Sequence, residues 1–116
     1  MRIVVTGANG SVGKNLLAHA SAEVDIVAVV RSERAAAALP ARPGLEVRVA
    51  SADDVGDLAR TMAGASSLVH LSGILIESRT ASYEQANVAA TEAAVEACRR
   101  AGIPHFVLIR DRKSVV

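Results

Sequence analysis

A chain of 116 residues, 51% of them hydrophobic, carries enough apolar surface for one core and too much for a disordered segment. Thirteen Lys and Arg against twelve Asp and Glu leave a net charge of +1, which excludes a strongly basic nucleic-acid binder and an acidic tail. Two aromatics, Tyr83 and Phe106, are too few for a base-stacking platform, and a single cysteine, Cys98, excludes a disulfide framework or a multi-thiolate zinc site.

Residues 3–5 predict a first strand, apolar and β-branched, and Gly7 breaks it too early for a signal-peptide core. A helix comes next over 11–21, then a second strand over 26–30 and a short alanine-rich helix over 32–39. Residues 40–44, Pro-Ala-Arg-Pro-Gly, read as a turn. In the third strand, 45–49, Leu45, Val47 and Val49 alternate with Glu46 and Arg48, so one face meets solvent and the strand is expected at an edge. Asp53 or Asp54 can cap a third helix over 54–63 that Gly64 stops. A fourth strand at 68–71, a long helix over 83–101 ended by Gly102 and Pro104, and a fifth strand at 106–109 complete the series. Continuous apolar strands alternating with helices predict a doubly wound parallel α/β sheet, in the order 3-2-1-4-5. No apolar run reaches the roughly 18 residues of a membrane span. With the lone thiol, that leads us to expect a reducing, cytoplasmic setting.

The most informative stretch is Thr6-Gly7-Ala8-Asn9-Gly10-Ser11-Val12-Gly13, placed between the first strand and the first helix. Gly7 can take the tight turn, Gly10 clears a side chain from the path of a diphosphate, and Gly13 lets the helix pack closely. Amides of residues 10–12 would then face the phosphates with the helix dipole behind them. A P-loop is excluded: Lys14 follows Gly13, but Ala8 stands where that motif needs glycine and Asn15 where it needs Ser or Thr.

With its G-x-x-G-x-x-G spacing the loop resembles that of extended and atypical short-chain dehydrogenase/reductases, the epimerase/dehydratase-like group. The likeness continues through Leu68-Val69-His70-Leu71-Ser72-Gly73, through Asn87-Val88-Ala89-Ala90-Thr91 with Ala90 in place of glycine, and through Ala101-Gly102-Ile103-Pro104-His105-Phe106-Val107-Leu108-Ile109. The resemblance implies a Rossmann-type, NAD(P)-binding domain over residues 1–109, followed by a short basic tail at 110–116. Its implied cofactor contacts are Gly7, Asn9, Gly10, Ser11, Val12, Gly13, Arg31, Ser32, Ser51, Leu71, Ser72, Gly73 and Asn87. In such folds the residue after the second strand meets the adenosine ribose. Here Arg31-Ser32-Glu33-Arg34 stands at that point. Arg31 can stack on adenine or bind a 2′-phosphate with its guanidinium fork, Ser32 and Arg34 can assist, and NADP is favoured, with NAD as the alternative. Ser51 occupies the adenine position, where the family commonly has Asp, and Asp53 and Asp54 are better suited to capping.

The family's catalytic pair, Tyr-x-x-x-Lys, is missing. Tyr83, the only tyrosine, precedes the fifth strand and has Asn87 four residues on; Arg110 stands where the family has serine, and Ser114 has no assignable role. The resemblance therefore covers the N-terminal part of the family, with the sheet stopping after its fifth strand. It leaves open a cofactor-binding part of an oxidoreductase or epimerase, a non-catalytic NADP(H) sensor, or an inactive remnant. With no helix beyond the fifth strand, Val69, Leu71, Val107 or Ile109 are expected at the surface, to be covered by a second copy or a partner. His19, His70 and His105 lack metal spacing, and His70 reads as a hydrogen-bonded structural histidine. Cys98 reads as a small buried hydrophobe, and Glu77, Arg79 and Glu84 as solvated loop charges.

Overall fold

A computed structural model describes residues 1–8, 10–51, 54–72 and 81–110, and the backbone alone at 11, 72, 81–87 and 110. The elements are β1 (Arg2–Thr6), α1 (Ser11–His19), β2 (Asp25–Val30), α2 (Glu33–Ala37), β3 (Leu45–Val49), α3 (Val55–Met62), β4 (Ser67–Ser72), α4 (Ala81–Ala101) and β5 (His105–Arg110). All strand pairs are parallel, and the order is β3-β2-β1-β4-β5. This is the predicted doubly wound sheet, and each strand falls where its apolar run stands.

Side-chain alternation divides the core into two layers. Val4, Val27, Val29 and Leu68 face Leu58 and Met62 of α3 and Ala93, Ala94, Ala97 and Cys98 of α4. Val5, Ile26, Ala28 and Val30 face Leu17 of α1, with Ala35 and Ala36 of α2 at the margin. Small alanines on α4 let that helix lie close to the sheet, which suits a core almost without aromatics. Asp54, not Asp53, is the cap for which the structure gives a bond: its carboxylate accepts from the Asp57 amide at 3.0 Å. Position 53 lies outside the described residues.

Several boundaries differ from expectation. The second helix is five residues long rather than eight, because Ser32 is its N-cap and its last amides turn back three residues, Ala38 to Ala35 and Leu39 to Ala36, before Pro40. The first helix stops at His19, with Ala20 already extended. Arg42 makes that stop possible: its guanidinium donates to the carbonyls of Leu17, Ala20, Ser21, Val24 and Pro43 at 2.7–3.3 Å. The fourth helix begins at Ala81, two residues early.

The sheet margins correct the expected exposure in detail. On β3 the apolar Val47 and Val49 are exposed as well as Arg48, because α2 is too short to cover them and buries no residue. On the other side Val107 and Ile109 are exposed as expected, while Val69 and Leu71 are half-buried against the α1 layer. Leu108, on the opposite face of β5, is exposed too.

Candidate functional site

The strand registers set one row of residues across the carboxyl end of the sheet. Thr6 pairs with Val29 on one side and His70 on the other, and Val30 pairs with Val49. The residues just beyond these pairs are Arg31, Gly7 and Leu71, with Ser51 two residues beyond Val49. The chain reverses its direction of strand addition between β1 and β4, where doubly wound sheets bind ligands.

Gly7 and Gly13 are required by the backbone around them. Gly7 has φ +71°, and a Cβ there would lie 2.3 Å from the Leu71 carbonyl oxygen. At Gly13 a Cβ would lie 2.3 Å from the Ala8 carbonyl oxygen and 2.6 Å from its carbon. At Gly13 the first helix therefore packs on the loop's own backbone at Ala8, which is fully buried. Gly10 is different. Its backbone is extended, φ −79° and ψ 178°, open to any residue, and among the described residues a Cβ there would meet only the Gly7 oxygen at 3.7 Å.

The amide of Gly10 departs from expectation. It turns inward to the Gly7 carbonyl at 3.3 Å, closing the tight turn, and is not directed outward at a ligand. The outward donors must come from the first turn of α1, whose amides have no carbonyl one turn earlier to bond. That turn is bare: Gly10 supplies no side-chain cap, and no acidic residue lies in it. The other two helix starts differ. The Ser32 hydroxyl accepts from the Ala35 amide at 3.1 Å with Glu33 in the first turn of α2, and Asp54 and Asp57 serve α3 in the same way. Of the helix N-termini described with their caps, only that of α1 has its partial positive charge unanswered by a described side chain. Val12 is half exposed beside it.

Arg31 and Arg34 are exposed beyond β2, and among the described residues neither has an ion-pair partner. Ser32 is occupied as an acceptor by its cap, which leaves its O–H free to donate. Ser51 is exposed at the end of β3 and its carbonyl accepts from Asp54 at 3.3 Å. Asn9 and Gly73 lie outside the described residues, as do Glu77 and Arg79; the side chains of Ser11, Ser72, Tyr83, Glu84 and Asn87 do as well. Among the described residues no His, Cys, Asp or Glu group is arranged for a metal ion. No described helix is long and apolar enough to cross a membrane.

His70 is the hydrogen-bonded histidine expected, but its partners were not legible from motifs. His70 is buried, and its Nδ1 stands 2.5 Å from the Thr6 hydroxyl while its Nε2 stands 3.3 Å from the Thr91 hydroxyl on α4. Burial pushes its imidazole below the ordinary value of 6.5. The available signal was a polar residue at the end of each of two apolar strands, Thr6 and His70. Cys98 is buried as expected, and burial raises its thiol above the ordinary value.

Comparison with known proteins gives a consistent picture. The sequence model of a family described as NAD(P)H-binding matches residues 7–113. A 3 beta-hydroxysteroid dehydrogenase/Delta 5-->4-isomerase of Mycobacterium tuberculosis is 36% identical over 124 aligned positions, covering 99% of this chain and 33% of the relative. Uronate dehydrogenase of Agrobacterium tumefaciens, in a mutant form complexed with NAD, superposes with TM-score 0.75 at 27% identity, over 92% of this chain and 39% of that one. An NADPH-dependent quinone oxidoreductase of Escherichia coli complexed with NADPH gives 0.69 at 27%, over 91% and 35%. The chain spans about a third of the length of the curated relatives it matches.

Proposed function

Because this chain belongs to the NAD(P)H-binding family, whose model matches residues 7–113, we propose that it is the dinucleotide-holding part of an NADP(H)-dependent oxidoreductase or epimerase. That it is an NAD(P)H-binding domain related to dehydrogenases, reductases and epimerases follows from the family match and the shared fold. One observation carries the placement of the diphosphate: the uncapped, acid-free start of α1 stands at Gly10, where among the described residues a side chain would meet no more than the Gly7 oxygen, between two glycines that the backbone demands.

In this reading the first-turn amides of Ser11, Val12 and Gly13 hold the diphosphate, and Gly10 contributes by having no side chain. Arg31, with Ser32 and Arg34 beside it, takes the 2′-phosphate of the adenosine ribose, which favours NADP over NAD. Ser51 lies toward adenine, and Asn9, Leu71, Ser72, Gly73 and Asn87 toward the remainder of the dinucleotide. When bound, the nicotinamide supplies hydride chemistry. The 116 residues themselves hold no Tyr-x-x-x-Lys pair, since Asn87 follows Tyr83 at the fourth position. Binding, not proton transfer, is therefore the activity we assign to them. A sensor of NADP(H) without chemistry is the second reading.

Calorimetry with NADP+, NADPH, NAD+ and NADH is the direct test. Tighter binding of the two phosphorylated forms is expected; no heat with any of the four would overturn the assignment, and tighter NAD would overturn the role of Arg31. Mixing NADPH with a panel of carbonyl compounds separates an oxidoreductase from a sensor, because only the former oxidises the cofactor. The exposed Val107, Leu108 and Ile109 support self-association through the β5 side, in a cytoplasmic setting. Light scattering that finds only monomer at high concentration would count against that contact.

A further inference from the structure

We propose that His70 is a positioning residue for the dinucleotide loop, acting through its bond to Thr6. The proposal rests on the reading of that loop as the diphosphate cradle. Three elements meet at this one ring. Thr6 is the last residue of β1 and the one directly before Gly7; His70 lies opposite it in the β1–β4 ladder; Thr91 belongs to α4. The Thr6 hydroxyl is 2.5 Å from Nδ1 and the Thr91 hydroxyl 3.3 Å from Nε2. Phe106 of β5 flanks the ring, with centroids 6.4 Å apart.

A neutral imidazole has one donor and one acceptor, and a hydroxyl can serve as either. Both tautomers therefore satisfy both threonines, and the neutral ring that burial favours keeps both contacts. The contact matters to the loop because Thr6 leads straight into its first turn. Gly7 turns at φ +71° within van der Waals reach of the Leu71 backbone, and Leu71 is the residue after His70. Side-chain bond and backbone contact thus clamp the same two strand ends, one on each side of the point where the loop departs. The Gly7 carbonyl in turn accepts from Gly10, and the Gly10 carbonyl accepts from Lys14 at 2.9 Å, which carries the constraint to the first turn of α1. The Thr6 contact ties the ring to β1 and the Thr91 contact ties it to α4, so the two ring nitrogens have separable roles.

That separation supplies the test. In His70→Asn the amide stands close to where Nδ1 stood and can still reach Thr6; in His70→Gln it stands near the Nε2 position and can reach Thr91 alone. Thr6→Val removes the hydroxyl at constant shape, and Thr6→Ser restores it. The readout is the NMR order parameter of the Gly7, Gly10 and Val12 amides in the ligand-free protein, with Val27 and Ala28 of β2 as internal reference. We expect Thr6→Val and His70→Gln to lower the loop values from about 0.85 toward about 0.6 while the β2 values hold. Thr6→Ser and His70→Asn should keep the loop near the parent value, and NADPH affinity should fall about tenfold in the first pair only. Unchanged loop order in Thr6→Val would overturn the proposal, as would loop and β2 amides loosening together. A parent chain that binds no dinucleotide would overturn the cradle reading instead, because loop order is read without ligand.

Discussion

Replacing Gly10 by alanine adds one methyl group at the one loop glycine where the fold leaves room for it. Backbone strain is absent, since φ −79° and ψ 178° suit alanine, and among the described residues the sole neighbour of the new Cβ is the Gly7 oxygen at 3.7 Å. Two small terms remain for stability. Alanine is a poorer N-cap than glycine by up to about 1 kcal/mol, and it lowers the entropy of the unfolded chain by a worth of about 0.4–1 kcal/mol. These oppose each other, so the Tm should stay within about 4 °C of the parent.

Binding is a different matter. First-turn amides reach a phosphate oxygen only at about 2.9 Å, and a methyl in the open space above Gly10 holds the diphosphate off by about 1 Å. Losing two charge-assisted hydrogen bonds at about 1.5 kcal/mol each gives about 3 kcal/mol, or about a hundredfold weaker Kd. Calorimetry with NADPH and a thermal melt on the same preparation read both quantities. A Gly10→Ala protein with parental Tm and a Kd within about threefold of the parent would refute the placement of the diphosphate.

Gly13→Ala should show the reverse priority: the clash at 2.3 Å is with the Ala8 backbone, which cannot rotate away, so a loss of about 3 kcal/mol is expected in urea unfolding. Arg42→Ala removes a guanidinium that donates to five carbonyls, and should cost about 2 kcal/mol, or about 8 °C in Tm; a drop under about 2 °C would show those bonds to be replaced by water. Acid should destabilise the fold through His70. Its folded pKa lies below the unfolded value, so below about 6.5 the unfolded state takes up a proton that the native state refuses. Stability is full above that pH and falls beneath it, and His70→Asn should flatten this part of the urea-unfolding profile. Arg31→Ala should weaken NADPH by about tenfold and NADH by less than about twofold, which competition calorimetry can resolve; equal losses would place Arg31 against adenine and not the 2′-phosphate.

Much of this molecule could be read from local patterns. Strands buried on both faces must be continuous apolar runs, so residues 26–30 and 68–71 announced themselves, and a glycine triplet between a strand and a helix has few uses besides phosphate. Arg31 falls directly after β2, as its distance beyond that triplet predicts. Pattern reading missed the length of α2, whose last turn tightens before Pro40, and the inward use of the Gly10 amide. Both depend on which carbonyl lies nearest, and composition carries no record of that.

The chain's alternation of apolar runs, helices and glycines determined the sheet, its order and the place of the glycine loop between β1 and α1, because side-chain periodicity and turn chemistry act over a few residues. Contacts between distant segments were settled only on folding. Arg42, in a turn that looked like simple punctuation, closes α1 by reaching carbonyls 18–25 residues away. His70 and Thr6 are 64 residues apart and share a bond because β4 inserts beside β1. A hydrogen bond needs its partners within about 3 Å, and only the packed sheet brings such pairs that close.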